Sequence, residues 1–208
     1  MPSSGYDTNV FVNCPFDAAY QPIFDAIIFA VHDCGFVARC ALEEEDSGTV
    51  RVAKLYDIIA DCGLGIHDIS RTEASGESKL PRFNMPLELG VFLGARQYGR
   101  PRQRQKRCLI LDRERFRYQK YLSDLGGQDI RAHDNDPAKA IRGVRDWLSH
   151  AAPPDVTLPG GKKMADRYAR FRADLPAILE NAGIEADELI YNDYTTFVVA
   201  WLRENSWG

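Results

Sequence analysis

The sequence has no CxxC pair, no secretory leader pattern and no apolar run long enough to cross a bilayer. Its five cysteines, Cys14, Cys34, Cys40, Cys62 and Cys108, are an odd number without paired spacing. That argues against a disulfide framework and predicts a reducing, cytoplasmic setting. Most lie in or beside apolar segments, where a thiol packs as a small hydrophobe. The opening MPSSGYDTN has neither a basic stretch nor an apolar core, so it does not read as a signal. The longest apolar stretch, around residues 23–31, is interrupted by Asp25 and is too short for a transmembrane helix. No membrane partner is expected.

Several catalytic signatures are missing too. The histidines, His32, His67, His133 and His150, are scattered and form no HExxH or comparable spacing, so no metal is inferred. There is no GxSxG elbow, no P-loop and no GxGxxG fingerprint. A net charge of -4 gives no global reason to expect nucleic acid, and 45% hydrophobic with 27% charged residues is ordinary for a globular chain. No internal repeat or low-complexity tract is present.

What is present is an alternation of short apolar runs with amphipathic ones, the pattern of parallel strands joined by helical crossovers. Strands are predicted over Asn9–Asn13 and residues 36–42, 64–69, 107–111 and 129–132. Helices are predicted over residues 17–34, 50–62, 84–99 and 137–150. The expectation is an α/β fold, a doubly wound parallel sheet of about five strands within residues 1–150. Residues 151–161, with three prolines and two glycines, read as a linker or sharp turn. Segments 162–181 and 186–204 then read as a C-terminal helical hairpin within 162–208. Its apolar residues, among them Tyr191, Tyr194, Phe197, Val198 and Trp201, need a surface to cover, supplied either by the α/β domain or by a second subunit; a homo-oligomer through these helices is the expectation.

In such a sheet, ligands sit in the crevice at the carboxyl ends of the strands. Three polar strand ends face it: Asn13-Cys14-Pro15-Phe16-Asp17, then Asp68-Ile69-Ser70-Arg71, then the helix start from Asn84 to Glu88. Glu88 is a lone carboxylate in an otherwise apolar helix expected to open at an Asn84 N-cap. It reads either as a charge complementing the first helical turn or as a reactive group that meets Asp68 at the sheet edge. Asn13 to Asp17 is either a plain strand-to-helix turn with Asp17 as cap or a cradle for a nucleoside. His67 should point away from Asp68, because neighbours on a strand face opposite sides. Cys14 at a helix start is a conceivable nucleophile, but no histidine stands out as its base. Residues 71–83 form a polar loop long enough to act as a lid. The run Arg96, Arg100, Arg102, Arg104, Lys106 and Arg107, followed by Arg113, Arg115, Arg117 and Lys120, reads either as a solvated loop or as a nucleic-acid surface.

The order VFVNCPFD, GIHDIS and NMPLELGVFLGA resembles the superfamily joining nucleoside 2-deoxyribosyltransferases to bacterial TIR-like domains. The resemblance covers about residues 9–150 and implies a flavodoxin-like sheet. It implies Glu88 as the catalytic glutamate of an ELG-type helix and Asp68 as a sugar-contacting aspartate. Asn13, Pro15 and Phe16 correspond to the first-strand turn; Cys14 stands where the transferases have a glycine-containing turn. Ser70, Arg71 and Asn84 join the substrate-binding set by position. The implied activity is cleavage of an N-glycosidic bond in a nucleotide, with NAD⁺ the favoured substrate, no cofactor required and a role in antiviral defence. The rival is a nucleotide-binding sensor or assembly module without catalysis.

Overall fold

Helix α1 (Gln21–Asp33) is the best guide to the architecture, because residues 23 to 31 are buried on every side. A helix that is apolar all round must be covered on two faces. In the computed structural model, which describes residues 5–43, 48–72 and 83–207, one cover is a parallel sheet and the other is the C-terminal helices.

The sheet contains β1 (Asn9–Asn13), β2 (Val37–Arg39), β3 (Leu64–Asp68), β4 (Arg107–Asp112) and β5 (Ile130–Ala132) in the order β2-β1-β3-β4-β5. All neighbours are parallel, the arrangement of a flavodoxin-like α/β fold. Period-two alternation sorts the strand side chains. Val10, Val12, Ile66 and Leu109 pack with α1 and α4 (Pro137–Leu148), whereas Phe11 packs with α2 (Arg51–Ala60) and with Phe92 of α3 (Asn84–Tyr98). Gly65 is required here: a Cβ on it would stand 2.8 Å from both His67 Nε2 and the Phe92 ring. Lys106, just before β4, is buried and donates to the carbonyls of Ile59 (2.6 Å) and Cys62, closing the C-terminal end of α2.

Helices α5 (Gly161–Ala182) and α6 (Tyr191–Glu204) join the same core. Phe29 of α1 meets the rings of Tyr168, Phe171 and Trp201 at centroid distances of 5.3, 5.5 and 6.1 Å. A buried ion pair, Arg167 to Asp33 at 3.0 Å, crosses the same junction. The aromatic face that the sequence offered to a second subunit is thus covered within the chain: Tyr191, Tyr194, Val198 and Trp201 are all buried.

Several boundaries differ from expectation: the second strand spans only Val37–Arg39 rather than residues 36–42, and three helix starts shift. Asp17 does not cap α1; it closes a preceding turn by accepting from the Tyr20 N–H at 3.1 Å, so the helix begins at Gln21. Asn84 lies inside α3, whose N-cap is Phe83, and Glu88 therefore falls beyond the first turn, where a helix dipole acts weakly. The last helix starts at Tyr191 rather than residue 186, because Glu188 folds back to accept from the Glu185 N–H at 3.1 Å. Among the described residues, no helix is long and apolar enough to cross a membrane.

Candidate functional site

The order in which strands are added reverses at β1, so the switch point lies between the carboxyl ends of β1 and β3. Asn13 ends β1 there, paired in register with His67, and Asp68 ends β3. The Asn13 amide sits within 3.1 Å of His67 Nδ1 and donates at 2.8 Å to the carbonyl of Met85. It thereby ties the first turn of α3 down onto the crevice and fixes where Glu88 stands. His67 faces away from Asp68, as alternation requires, and packs between Phe11 and Phe92; burial drives its pKa down to about 3, keeping the ring neutral.

Asp68 is sealed. Its Oδ1 accepts from the Ser70 N–H at 2.8 Å and from the Ser70 hydroxyl, and its Oδ2 stands 2.9 Å from His133 Nε2, off the line of a straight hydrogen bond. His133 Nδ1 accepts the Asn135 N–H at 3.1 Å, so in the neutral ring the hydrogen resides on Nε2, facing the carboxylate. Tyr20 lies against the same carboxylate with its ring edge-on to His133 at 6.2 Å. Burial and the Asp68 charge push its phenol well above the ordinary value. The next strand end repeats the theme: Asp112 is fully buried, its Oδ1 bound by Arg117 at 2.7 Å, while Arg117 also donates to the Ile69 carbonyl at 2.6 Å. Among the described residues, Tyr20 Oη, Asp68 Oδ2, His133 Nε2 and Asp112 Oδ2 are all buried without a well-aligned partner. The sheet edge therefore holds concentrated, incompletely satisfied polarity, an arrangement typical of functional sites.

Glu88 forms another part of the same edge. Burial pushes its carboxyl up from 4.5 to about 7, against the pull of Arg51. Cys14 lies between the two carboxylates electrostatically: burial first, then the charges of Asp68 and Glu88, raise its thiol well above 9, which removes it as a ready nucleophile. Among the described residues no hydrogen bond joins Glu88 to Asp68, so the two share an edge without touching. Pro15 is buried beside Cys14, and Phe16 is exposed, edge-on to Phe24 at 5.5 Å. Arg71 reaches Asp17 at 3.5 Å, linking the ends of β3 and β1, and Asn84 is exposed on α3. Asn13, Cys14, Asp68 and Ser70 thus make the buried floor, and Glu88, Arg71, Phe16 and Asn84 lie further out. The expected lid falls almost entirely on residues 73–82, outside the described residues.

Sequence reasoning missed Tyr20, Asp112, Arg117 and His133. For Asp112 and His133 a signal existed, since each is a polar residue at or just after a strand's carboxyl end. The basic run is also clarified: Lys106 and Arg117 are buried and bonded, Arg104 donates to the Gly99 carbonyl at 3.0 Å, and Arg107 donates to the His150 carbonyl at 3.0 Å. Much of it ties loops down.

Fold and site together define a flavodoxin-like α/β protein with two carboxylates, Asp68 and Glu88, near its switch point. No family model, curated protein or solved structure matches the chain.

Proposed function

We propose that the chain binds a nucleotide at the β1/β3 crevice and cleaves its N-glycosidic bond, with Glu88 as the catalytic carboxylate and NAD⁺ as the favoured substrate. One observation carries this reading: a half-buried glutamate, its pKa raised to about 7, stands at the switch point on a helix pinned there by Asn13. A desolvated carboxylate is what an oxocarbenium-like transition state requires, because charge developing on the ribose is stabilised far more strongly away from water. As the C1′–N bond breaks, its electron pair leaves with the base; for a pyridinium such as nicotinamide this yields a neutral leaving group with no proton added. Water then adds to C1′, and its proton passes to solvent or to Glu88. If Glu88 instead forms a ribosyl ester, water releases it in a second step.

Asp68 serves in this reading as a positioning residue that fixes Ser70 from beneath. No cofactor is used, and nucleic acid is not the partner. Nothing in the chemistry requires self-association, and the aromatic faces of α5 and α6 are occupied within the chain. The complete enclosure of Asp68 favours one second reading, a nucleotide sensor that binds without turnover.

Mass spectrometry of the purified protein incubated with NAD⁺, NADP⁺ and a panel of nucleosides separates the two. Released free base that disappears in Glu88→Gln supports the enzyme. Saturable binding without release supports the sensor, and neither binding nor release overturns both.

A further inference from the structure

A cavity of about 780 Å³ lies away from Asp68 and Glu88, between the start of α1, the second half of α5 and the first turns of α6. Its size suits a small molecule or a few side chains of a peptide. Phe24, Leu175, Leu179, Leu189 and Tyr191 give it an apolar wall. Of the three charged residues lining it, two pair with each other: Asp25 is buried and accepts from Arg172 Nη1 and from Gln21 Nε2, each at 2.7 Å.

The mouth is different. A second hollow of about 410 Å³ shares Arg172, Leu175, Leu179 and Ala186 with the first and continues past Glu180 and Glu185, while Asp187 lines the first. Residues 180–193 carry Glu180, Glu185, Asp187, Glu188 and Asp193 with no lysine or arginine. An apolar wall beside an unbalanced acidic rim fits one kind of ligand, an apolar body bearing a cationic head.

We infer that this cavity is a binding site for an amphipathic cation, separate from the switch-point crevice. The apolar body is buried against Phe24, Leu175 and Leu179, and the cation remains near Glu185 and Asp187, where it is partly hydrated and screened by salt. The chemistry has two sources, a free alkyl or aryl amine and a lysine- or arginine-bearing apolar segment of another protein.

Isothermal titration of the full chain with octylammonium, octanoate and octanol, each below its micelle concentration, tests the site alongside an amidated Lys-Leu-Leu-Lys peptide. At least one of the two cationic probes is expected to bind at a single site, about tenfold or more tighter than octanoate, with affinity falling as salt rises. Tighter binding of octylammonium identifies a small amine as the ligand type, and tighter binding of the peptide identifies a protein segment. Ala186 is exposed, so Ala186→Trp should fold normally and abolish binding by filling the mouth. The pair Glu185→Lys and Asp187→Lys, also on exposed positions, should reverse the preference toward octanoate. Equal affinity for octylammonium and octanoate, binding indifferent to Ala186→Trp, or no binding by either cationic probe overturns the inference. None of these measurements depends on turnover at Glu88.

Discussion

His133 Nε2 and Asp68 Oδ2 stand 2.9 Å apart at the carboxyl edge of the sheet, and the contact joins the end of β5 to the end of β3 across the intervening β4. Both side chains are almost inaccessible to water. Removing the imidazole leaves a buried carboxylate facing a void, with Ser70 bonded to its other oxygen and Tyr20 alongside. His133→Ala should therefore destabilise the chain by about 2–4 kcal/mol, read as a shift in the urea midpoint without change in slope. His133→Gln retains a donor near the Nε2 position and should recover part of that loss. Equal stability of wild type and His133→Ala would show that the contact contributes nothing.

Glu88 gives a prediction whose sign is fixed by its environment. Burial raises its pKa from 4.5 to about 7, so between those values the folded state binds the proton more tightly than the unfolded one. Its contribution to stability is greatest below pH 4.5 and declines as pH rises through 7. Glu88→Gln removes the ionisation, so the variant should gain on wild type by about 1–3 kcal/mol between pH 5 and pH 8, after allowance for partial exposure. Denaturant titrations of both proteins across that range check the sign. The same substitution should reduce base release by about 100-fold or more. Loss of activity together with gain of alkaline stability is the signature of a group held in a costly environment for its chemistry.

Asn13 places α3 through a single side-chain amide shared between Met85 O and His67 Nδ1. Asn13→Leu has nearly the same size but strands that carbonyl and leaves the neutral imidazole without its neighbour. The expected cost is about 1–3 kcal/mol. Because Glu88 lies one turn further along the same helix, nucleotide affinity should fall with stability. Retained affinity at lowered stability, measured by calorimetry and urea unfolding, would separate the brace from the site.

The sheet was legible in the sequence because each apolar run is short and bounded by turn residues: NVFVN and LGIHD stand almost as expected. The crevice was half legible. Asn13, Asp68 and Glu88 announce themselves as polar residues beside apolar runs, but His133 lies 65 positions beyond Asp68 and meets it only once the strand order is known. The basic run shows another limit, since nothing in the spacing of cations distinguishes Lys106 and Arg117, which are buried, from exposed neighbours such as Arg104 and Arg107. The Asn84 cap failed for a local reason: the chain already turns helically at Phe83, with φ -98° and ψ -3°, so the polar residue one position later is inside the helix.

The C-terminal helices provide the last prediction, and α1 contains its argument. From Ile23 to Val31 every side chain but Asp25 is apolar and all are buried, so the sheet can satisfy only one side of the helix. Helices α5 and α6 cover the other through Phe171, Tyr194 and Trp201, and the Arg167–Asp33 pair anchors them. A chain ending at His150 would expose Phe29 and leave Asp33 without its guanidinium. It should lose cooperative unfolding and bind a hydrophobic dye such as ANS, whereas the full chain should unfold in one transition. Arg167→Met provides a finer probe that keeps the covering helices: it leaves Asp33 unpaired among apolar neighbours and should cost about 3–5 kcal/mol. The pair Arg167→Met with Asp33→Leu should recover most of that loss. A truncated chain that unfolds cooperatively and excludes the dye would show instead that the sheet and α4 suffice to fold α1.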